Sequence, residues 1–183
     1  MKTFFLLMII LTSFKALAGT EVIIKTSMGN IEMELFDKKS KESVRNFLQY
    51  VDEGFYTNTL FHRVIKDYII QGGGLDVNFI EKKTHPQIKN DALNMVKNLK
   101  WTIAMARKRH KHSAKSEFFI NLKDNPQLDH LGIQSYGYAV FGKVTKGFDI
   151  VVNISKVLVA NKGEYRKVPV KPVIIKMISR KSI

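Results

Sequence analysis

Hydrophobic and polar positions alternate with the two-residue period of a β-strand near both ends of the chain. In "EVIIKTSMGNIEMELF", residues 22–25 and 31–36 are strand-like, and Met28-Gly29-Asn30 supplies the turn of a predicted hairpin. In "KPVIIKMISRK", residues 171–181, a second alternation predicts a closing strand in which Val173, Ile175 and Met177 share one face.

The period changes to that of an α-helix at two places. In "SKESVRNFLQYVDEG", apolar residues fall at i, i+3, i+4 and i+7 and form one face of an amphipathic helix; they are Val44, Phe47, Leu48 and Val51. Ser40 is the predicted N-cap of this helix and Gly54 its C-terminal stop. The pattern of "GFDIVVNISKV", residues 147–157, predicts a second helix with Asp149 near its start.

Short β-like runs separated by glycine, proline and asparagine fill the rest of the chain. They extend from residue 56 to residue 120 and return in "YGYAVFGKV", residues 136–144, while the polar stretch 75–98 predicts long loops. Many short strands with only two helices are typical of an all-β barrel or sandwich with helical lids. No repeat or linker divides the sequence, so we expect a single domain at residues 19–183.

The first eighteen residues, "MKTFFLLMIILTSFKALA", have the pattern of a secretory signal peptide. Lys2 precedes an apolar run at residues 4–11, and Ala16-Leu17-Ala18 is a small-residue cleavage site. The apolar run is much shorter than the roughly 20 residues that cross a bilayer, so cleavage before Gly19 is favoured over an uncleaved anchor. We therefore expect a periplasmic or secreted protein with no transmembrane segment after cleavage.

Composition narrows the possible functions. The chain has no cysteine, which excludes a disulfide scaffold and thiol chemistry. Its formal net charge is +14, of which Lys2 and Lys15 belong to the predicted signal peptide. A basic surface attracts polyanions, but the cations are spread along the chain, and this favours a generally basic soluble surface.

Common catalytic and binding motifs are missing. No G-x-S-x-G motif occurs, and Gly72-Gly73-Gly74 lacks the Lys-Ser/Thr of a phosphate loop, so these glycines indicate backbone freedom at a strand end. His110 and His112 lie two apart in "RKRHKHSAK", but no third ligand is near them in sequence, so no metal site is predicted. The same run has no interleaved aromatic residues, and a specific nucleic-acid site is not expected.

A different set of residues suits a peptide-binding pocket. Strand parity puts Ile69 and Gln71 on one face, and Glu117 and Phe119 likewise share a face. Each pair presents a hydrogen-bonding side chain beside an apolar one, although an ordinary half-buried sheet has the same pattern. Together with Arg63, which lies among apolar neighbours, these residues predict an apolar pocket rimmed by groups that bind a peptide backbone.

At these positions the sequence resembles the cyclophilin family of peptidyl-prolyl cis–trans isomerases. The similar blocks, in order, are "FHRVI…QGGG", "TIAMAR", "SEFFIN", "LDH" and "YAVFGKV". The likeness runs from about residue 22 to residue 178, and the sequence most resembles the exported bacterial members of the family. The resemblance implies a closed eight-stranded antiparallel barrel capped by two α-helices, with the active site on its outer face. It implies an isomerase acting on Xaa-Pro bonds, which here would assist the folding of exported proteins.

The resemblance also assigns the site. Arg63 matches the catalytic arginine and Gln71 the glutamine that orients it. The remaining residues, all implied to bind substrate, are His62, Tyr68, Ile69, Ala106, Arg107, Glu117, Phe119, Leu128 and Tyr138. Proline-containing polypeptides are the expected partners of a monomeric protein without cofactor or metal.

The sequence departs from the common family pattern at four places, two of them residue pairs. Lys66-Asp67 replaces Pro-Gly, Tyr68-Ile69 replaces Phe-Met, and Gln127 replaces an aromatic residue, which predicts weak cyclosporin binding. Glu117 replaces a glutamine, and its carboxylate is expected to pair with Arg63 and weaken the field of that cation. Two alternatives therefore stand beside an active isomerase, namely a weakly active peptide-binding module of the same fold and a basic polyanion-binding surface protein.

Overall fold

A computed structural model describes residues 19–181, so the signal peptide predicted for residues 1–18 lies outside the described part of the chain. The described part contains two α-helices and eleven β-strands. The helices are α1 (Lys41–Asp52) and α2 (Phe148–Ser155). The strands are β1 (Glu21–Thr26), β2 (Gly29–Leu35), β3 (Thr59–Leu60), β4 (Arg63–Ile65), β5 (Ile69–Gly72), β6 (Thr102–Met105), β7 (Phe118–Asn121), β8 (Val140–Lys146), β9 (Val159–Lys162), β10 (Tyr165–Pro169) and β11 (Ile174–Arg180).

Nine of these strands form one antiparallel sheet in the order β3-β11-β1-β2-β8-β6-β7-β5-β4. Its two edge strands, β3 and β4, are separated in the chain only by Phe61 and His62. The sheet therefore curls until one extended segment contributes to both edges. Counted as one interrupted strand, β3 and β4 give the eight strands that the resemblance implies, and the mainly β fold with two helices is confirmed. Strands β9 and β10 form a separate hairpin.

The curled sheet has a different apolar cluster on each face. The inner cluster is the larger and joins both helices to the strands; it includes Phe47, Phe118, Ile120, Phe141 and Ile154. The smaller outer cluster is centred on Ile69, Ala104 and Phe119. Neighbouring residues of β7 thus serve opposite faces, as strand parity predicts.

Helix α1 agrees closely with its sequence pattern. Its four predicted apolar residues are all buried, and Gly54 follows the helix with a φ of 66°, the left-handed conformation in which glycine is favoured. Ser40 occupies the N-cap position, but its hydroxyl makes no capping hydrogen bond. It donates instead to the carbonyl of Val140 at 2.6 Å, which ties the start of the helix to β8.

Three predicted strand details are wrong. The first turn is Ser27-Met28, because Gly29 and Asn30 already pair with β1. Residues 136–139 are not part of β8. In β11, Met177 lies opposite Lys25 and Ile175 opposite Thr26, so Lys176 is the extra residue of a β-bulge. The bulge shifts the alternation, and Ile178 is buried while Met177 is 38% exposed.

No helix in residues 19–181 is long and apolar enough to cross a membrane.

Candidate active site

The register of three neighbouring strands assembles the candidate site on the outer face of the sheet. Arg63 of β4 lies opposite Gln71 of β5, and Gln71 lies opposite Phe119 of β7. Directly paired residues point to the same side of a sheet, so these three side chains form a row across the strands. Ile69, two residues before Gln71, adds an apolar side chain to the same face.

A groove with a volume of about 390 Å³ runs along this row. Nine of the eleven predicted site residues line it: Arg63, Tyr68, Ile69, Gln71, Ala106, Arg107, Phe119, Leu128 and Tyr138. The other two do not line the groove: Glu117 accepts a hydrogen bond from Gln71, and His62 lies next to Glu117. The sequence blocks that carry the family resemblance are therefore brought together in space.

The apolar end of the groove is closely packed. Ile69, Phe119 and Leu128 are at most 9% exposed, and the ring of Tyr138 meets Phe119 edge-on with centroids 5.5 Å apart. The guanidinium of Arg107 lies 4.6 Å from the centre of the Tyr138 ring, and its Nε donates to the carbonyl of Gly137 at 2.8 Å. These contacts fix one side of a pocket suited to a small apolar ring.

The polar end is a chain of three side chains. Nη1 of Arg63 donates to Oε1 of Gln71 at 3.4 Å, and Nε2 of Gln71 donates to Oε2 of Glu117 at 2.7 Å. The predicted direct pair between Glu117 and Arg63 is wrong, because no ion pair within 4 Å joins them among residues 19–181. The strand register puts the Gln71 amide between the two charges, so Glu117 reaches the arginine through it.

His62 lies behind this chain of hydrogen bonds. It is 7% exposed, and its Nε2 is 3.7 Å from Oε2 of Glu117. Burial lowers the pKa of His62 from its ordinary value near 6.5; the Glu117 carboxylate opposes this shift and the Arg63 charge adds to it. Its Nδ1 is buried and has no hydrogen-bond partner in the described part of the chain. Tyr165 of the β9–β10 hairpin covers the ring, with centroids 6.5 Å apart.

Glycine provides the space that Glu117 occupies. A Cβ on Gly74 would lie 2.5 Å from Oε1 of Glu117, and Gly73 has a φ of 88° that other residues rarely adopt. The glycines that follow β5 therefore serve backbone conformation and close packing, as the sequence indicated. In the turn before β5, Asp67 has a φ of 55°, so aspartate adopts the left-handed conformation where the family pattern has glycine.

A buried amide network holds the apolar end, and sequence reasoning missed it. Nδ2 of Asn98 donates to the carbonyls of Leu128 at 3.1 Å and Tyr138 at 3.3 Å. Asn121 donates to Oδ1 of Asn98 at 3.2 Å, and Asn125 donates both to Asn121 and to the carbonyl of Tyr68. The only sequence signal is asparagine at three positions, of which only Asn121 lies between apolar neighbours, and asparagine is also common in loops.

No three histidine, aspartate or glutamate side chains within residues 19–181 are grouped as metal ligands. His110 and His112 have ring centroids 5.7 Å apart and lie outside the groove.

Comparison with known proteins gives consistent results. The family model described as "Cyclophilin type peptidyl-prolyl cis-trans isomerase/CLD" matches residues 21–180. The chain is 50% identical to peptidyl-prolyl cis-trans isomerase A of Dickeya dadantii, over 89% of this chain and 85% of that protein. It is 44% identical to isomerase B of Escherichia coli, over 86% and 98%. The crystal structure of a Cryptosporidium parvum cyclophilin-type isomerase is similar with a TM-score of 0.73 and 27% identity, over 90% of this chain and 98% of that one.

Proposed function

The chain belongs to the family of cyclophilin-type peptidyl-prolyl cis–trans isomerases, and we propose that Arg63 catalyses the rotation about Xaa-Pro bonds held in the groove. It is a peptidyl-prolyl isomerase, as its family and relatives are. We infer the roles of the individual residues from the geometry of the groove, and the class of proteins on which it acts from the sequence.

The reaction needs charge stabilisation at one atom. An amide rotates slowly because resonance gives its C–N bond partial double-bond character, with a barrier of about 18–20 kcal/mol. At the top of the barrier the resonance is lost and a lone pair is localised on the prolyl nitrogen. A group that donates a hydrogen bond to that lone pair stabilises the transition state more than the planar ground state, which is the condition for catalysis.

Arg63 is the group in this groove that meets the condition. Arginine side chains carry a permanent positive charge and present several N–H donors, so this one can donate to a lone pair but cannot act as a base. The hydrogen bond to Gln71 holds it at the polar end, beside the apolar surface of Ile69 and Phe119. A proline ring seated on that surface would bring its nitrogen towards the guanidinium and exclude water from it. The observation that carries the proposal is that a cation hydrogen-bonded to Gln71 lies next to an apolar pocket.

Glu117 supports the alternative of a weakly active peptide-binding module. Its carboxylate is hydrogen-bonded to the amide that holds Arg63, so a negative charge lies one side chain away from the catalytic cation. That charge offsets part of the field that the prolyl nitrogen would feel. Weak cyclosporin binding stays a prediction. It is consistent with the side chain of Gln127, which donates to Asn125 and offers the groove no aromatic surface.

We further propose that this isomerase is a monomer that serves exported proteins outside the cytoplasm. The signal-peptide pattern of residues 1–18 supports export, and uncatalysed proline isomerisation takes about 10–100 s, slow enough to limit folding. N-terminal sequencing of the protein recovered from the periplasm or the medium should give Gly19 as the first residue. Recovery of the full-length chain from the cytoplasm would contradict this proposal.

A protease-coupled isomerisation assay tests the role of Arg63. We expect Arg63→Ala to lower kcat/KM by about 10²- to 10³-fold, the usual effect of removing one transition-state donor. Arg45→Ala is the matched control, because Arg45 is an exposed arginine of α1 that pairs with Glu42. An Arg63→Ala protein as active as the control would overturn the assignment, and low activity in both wild type and variant would favour the binding module.

A further inference from the structure

One loop beside the groove carries a concentrated positive charge. Residues 107–115, "RKRHKHSAK", contain five permanent cations and no carboxylate. Lys108, Arg109, Lys111 and Lys115 are exposed, and none of the four lies within 4 Å of a carboxylate among residues 19–181. We call residues 107–115 the basic loop. Its charge is therefore not neutralised within the fold.

The fold holds the basic loop in place. A β-bridge joins Ala114 to Ile88, and the backbone N–H of Asn90 donates to Nδ1 of His112 at 3.1 Å. The Nζ of Lys111 lies 4.6 Å from the centre of the Tyr136 ring. Because the loop is anchored at several points, its cations present a positive surface with a definite position.

The ionisation of His112 responds to that surface. Its pKa is lowered first by burial and then by the charges of Lys111, His110 and Lys89. Lys111 and Lys89 both act in this direction, so the local potential at the ring is positive. This agrees with the position of the loop cations around the ring.

The basic loop adjoins the groove through a second pocket of about 230 Å³. Gln71, Ala106 and Arg107 line both cavities, and Lys108 and Lys115 line the second pocket from the loop side. Two carboxylates also border this pocket, Glu81 and Glu117, and Glu117 is already hydrogen-bonded to Gln71. A peptide in the groove that extends into this pocket would come within reach of Lys108 and Lys115.

We propose that the basic loop selects polypeptides with acidic residues next to the isomerised proline. The inference rests on the proposed function, since it names the class of substrate that the groove prefers. Complementary charge on an extended substrate raises the encounter rate and orients the chain, and both effects weaken with ionic strength. An extended peptide can reach these cations because the second pocket shares Gln71, Ala106 and Arg107 with the groove.

The test compares three Xaa-Pro peptides that differ only in flanking residues: neutral, with two aspartates before the Xaa-Pro pair, and with two aspartates after it. At low salt we expect kcat/KM for one acidic peptide to exceed that of the neutral peptide by on the order of threefold to tenfold. In Lys108→Gln/Arg109→Gln/Lys115→Gln this preference is lost, while the rate on the neutral peptide is unchanged. The preference also decreases in 0.5 M salt, where screening is strong.

A matched control removes the same number of charges from another surface. Lys156→Gln/Lys171→Gln/Lys176→Gln lowers the net charge equally, and these exposed residues line neither cavity, so it should keep the preference. Equal kcat/KM on all three peptides, or a preference that disappears in both triple variants, would overturn the proposal. Failure of the proposed function itself is distinguishable, because the neutral peptide would then show no Arg63-dependent rate.

Discussion

The two ends of the groove are built in opposite ways. At the apolar end, the backbone of Tyr68, Leu128 and Tyr138 is held by asparagines that bond to one another and to these carbonyls. At the polar end, Arg63 is held by one long hydrogen bond of 3.4 Å, and a buried nitrogen of His62 has no partner among the described residues. Among the described residues, the buried side-chain polar atoms of the apolar end all have hydrogen-bond partners, whereas one at the polar end has none.

The difference suggests a division of work. Satisfied buried networks make a region rigid and specific, which suits a pocket that must recognise one ring shape. A charged group held by a single long hydrogen bond can adjust its position as the prolyl nitrogen changes from planar to pyramidal. The electric field that it exerts on that nitrogen also depends on neighbouring charges. We therefore expect substitutions at the apolar end to act on stability and KM, and substitutions at the polar end to act on kcat.

The largest effect is expected where the apolar end is broken. Asn98 is 1% exposed, and Asn98→Ala leaves a cavity and takes bonding partners from Leu128, Asn121 and Tyr138. Since each unsatisfied buried group costs about 1–3 kcal/mol, we expect the free energy of unfolding to fall by roughly 2–4 kcal/mol in urea titrations. KM should rise and kcat should change little.

Asn153→Ala is the control for that comparison. Asn153 is an exposed residue of α2, and surface substitutions of this kind usually change stability by no more than about 0.5 kcal/mol. If Asn98→Ala were as stable as the control and lowered kcat instead of raising KM, the division between the two ends would be wrong.

A smaller effect, of opposite sign, is expected at the polar end. In Glu117→Gln an amide oxygen can still accept from Gln71, but the negative charge near Arg63 is removed. We expect kcat/KM to rise roughly threefold, which corresponds to less than the 1.4 kcal/mol of a tenfold change. Glu81→Gln, at an exposed carboxylate of the adjoining pocket, should have no such effect on a neutral peptide. An unchanged or lower kcat/KM in Glu117→Gln would contradict the tuning role.

The smallest effect is a dependence of stability on pH. Burial lowers the pKa of His62 in the folded protein below its ordinary value near 6.5, so the unfolded chain binds the proton more readily. The stabilisation from the neutral ring is therefore complete above pH 6.5 and is lost as the pH falls through the folded pKa. His62→Gln should flatten the stability curve just below pH 6.5, as measured by urea titrations at a series of pH values. The carboxylates of Glu32 and Asp52, whose pKa values ion pairing lowers, act at more acidic pH.

Much of the fold and of the groove follows from local pattern. The helix period around Phe47, the alternation in β7 and the five resemblance blocks are properties of neighbouring residues, and each was confirmed. The bulge at Lys176 was not predictable, because it depends on how β11 pairs with a strand about 150 residues earlier. The partner of Glu117 was missed for the same reason, since only strand register shows that Gln71 lies between it and Arg63. Long-range pairing, rather than residue type, determines these details.

The central claim is that the field of Arg63 drives the reaction and that Glu117 reduces it through Gln71. A double-mutant cycle in kcat/KM, with wild type, Arg63→Ala, Glu117→Gln and the double variant on one neutral Xaa-Pro peptide, tests it most directly. The account predicts that Glu117→Gln raises kcat/KM when Arg63 is present and has no effect in the Arg63→Ala background. The same gain in both backgrounds would contradict it, because Glu117 would then act on the substrate independently of the arginine.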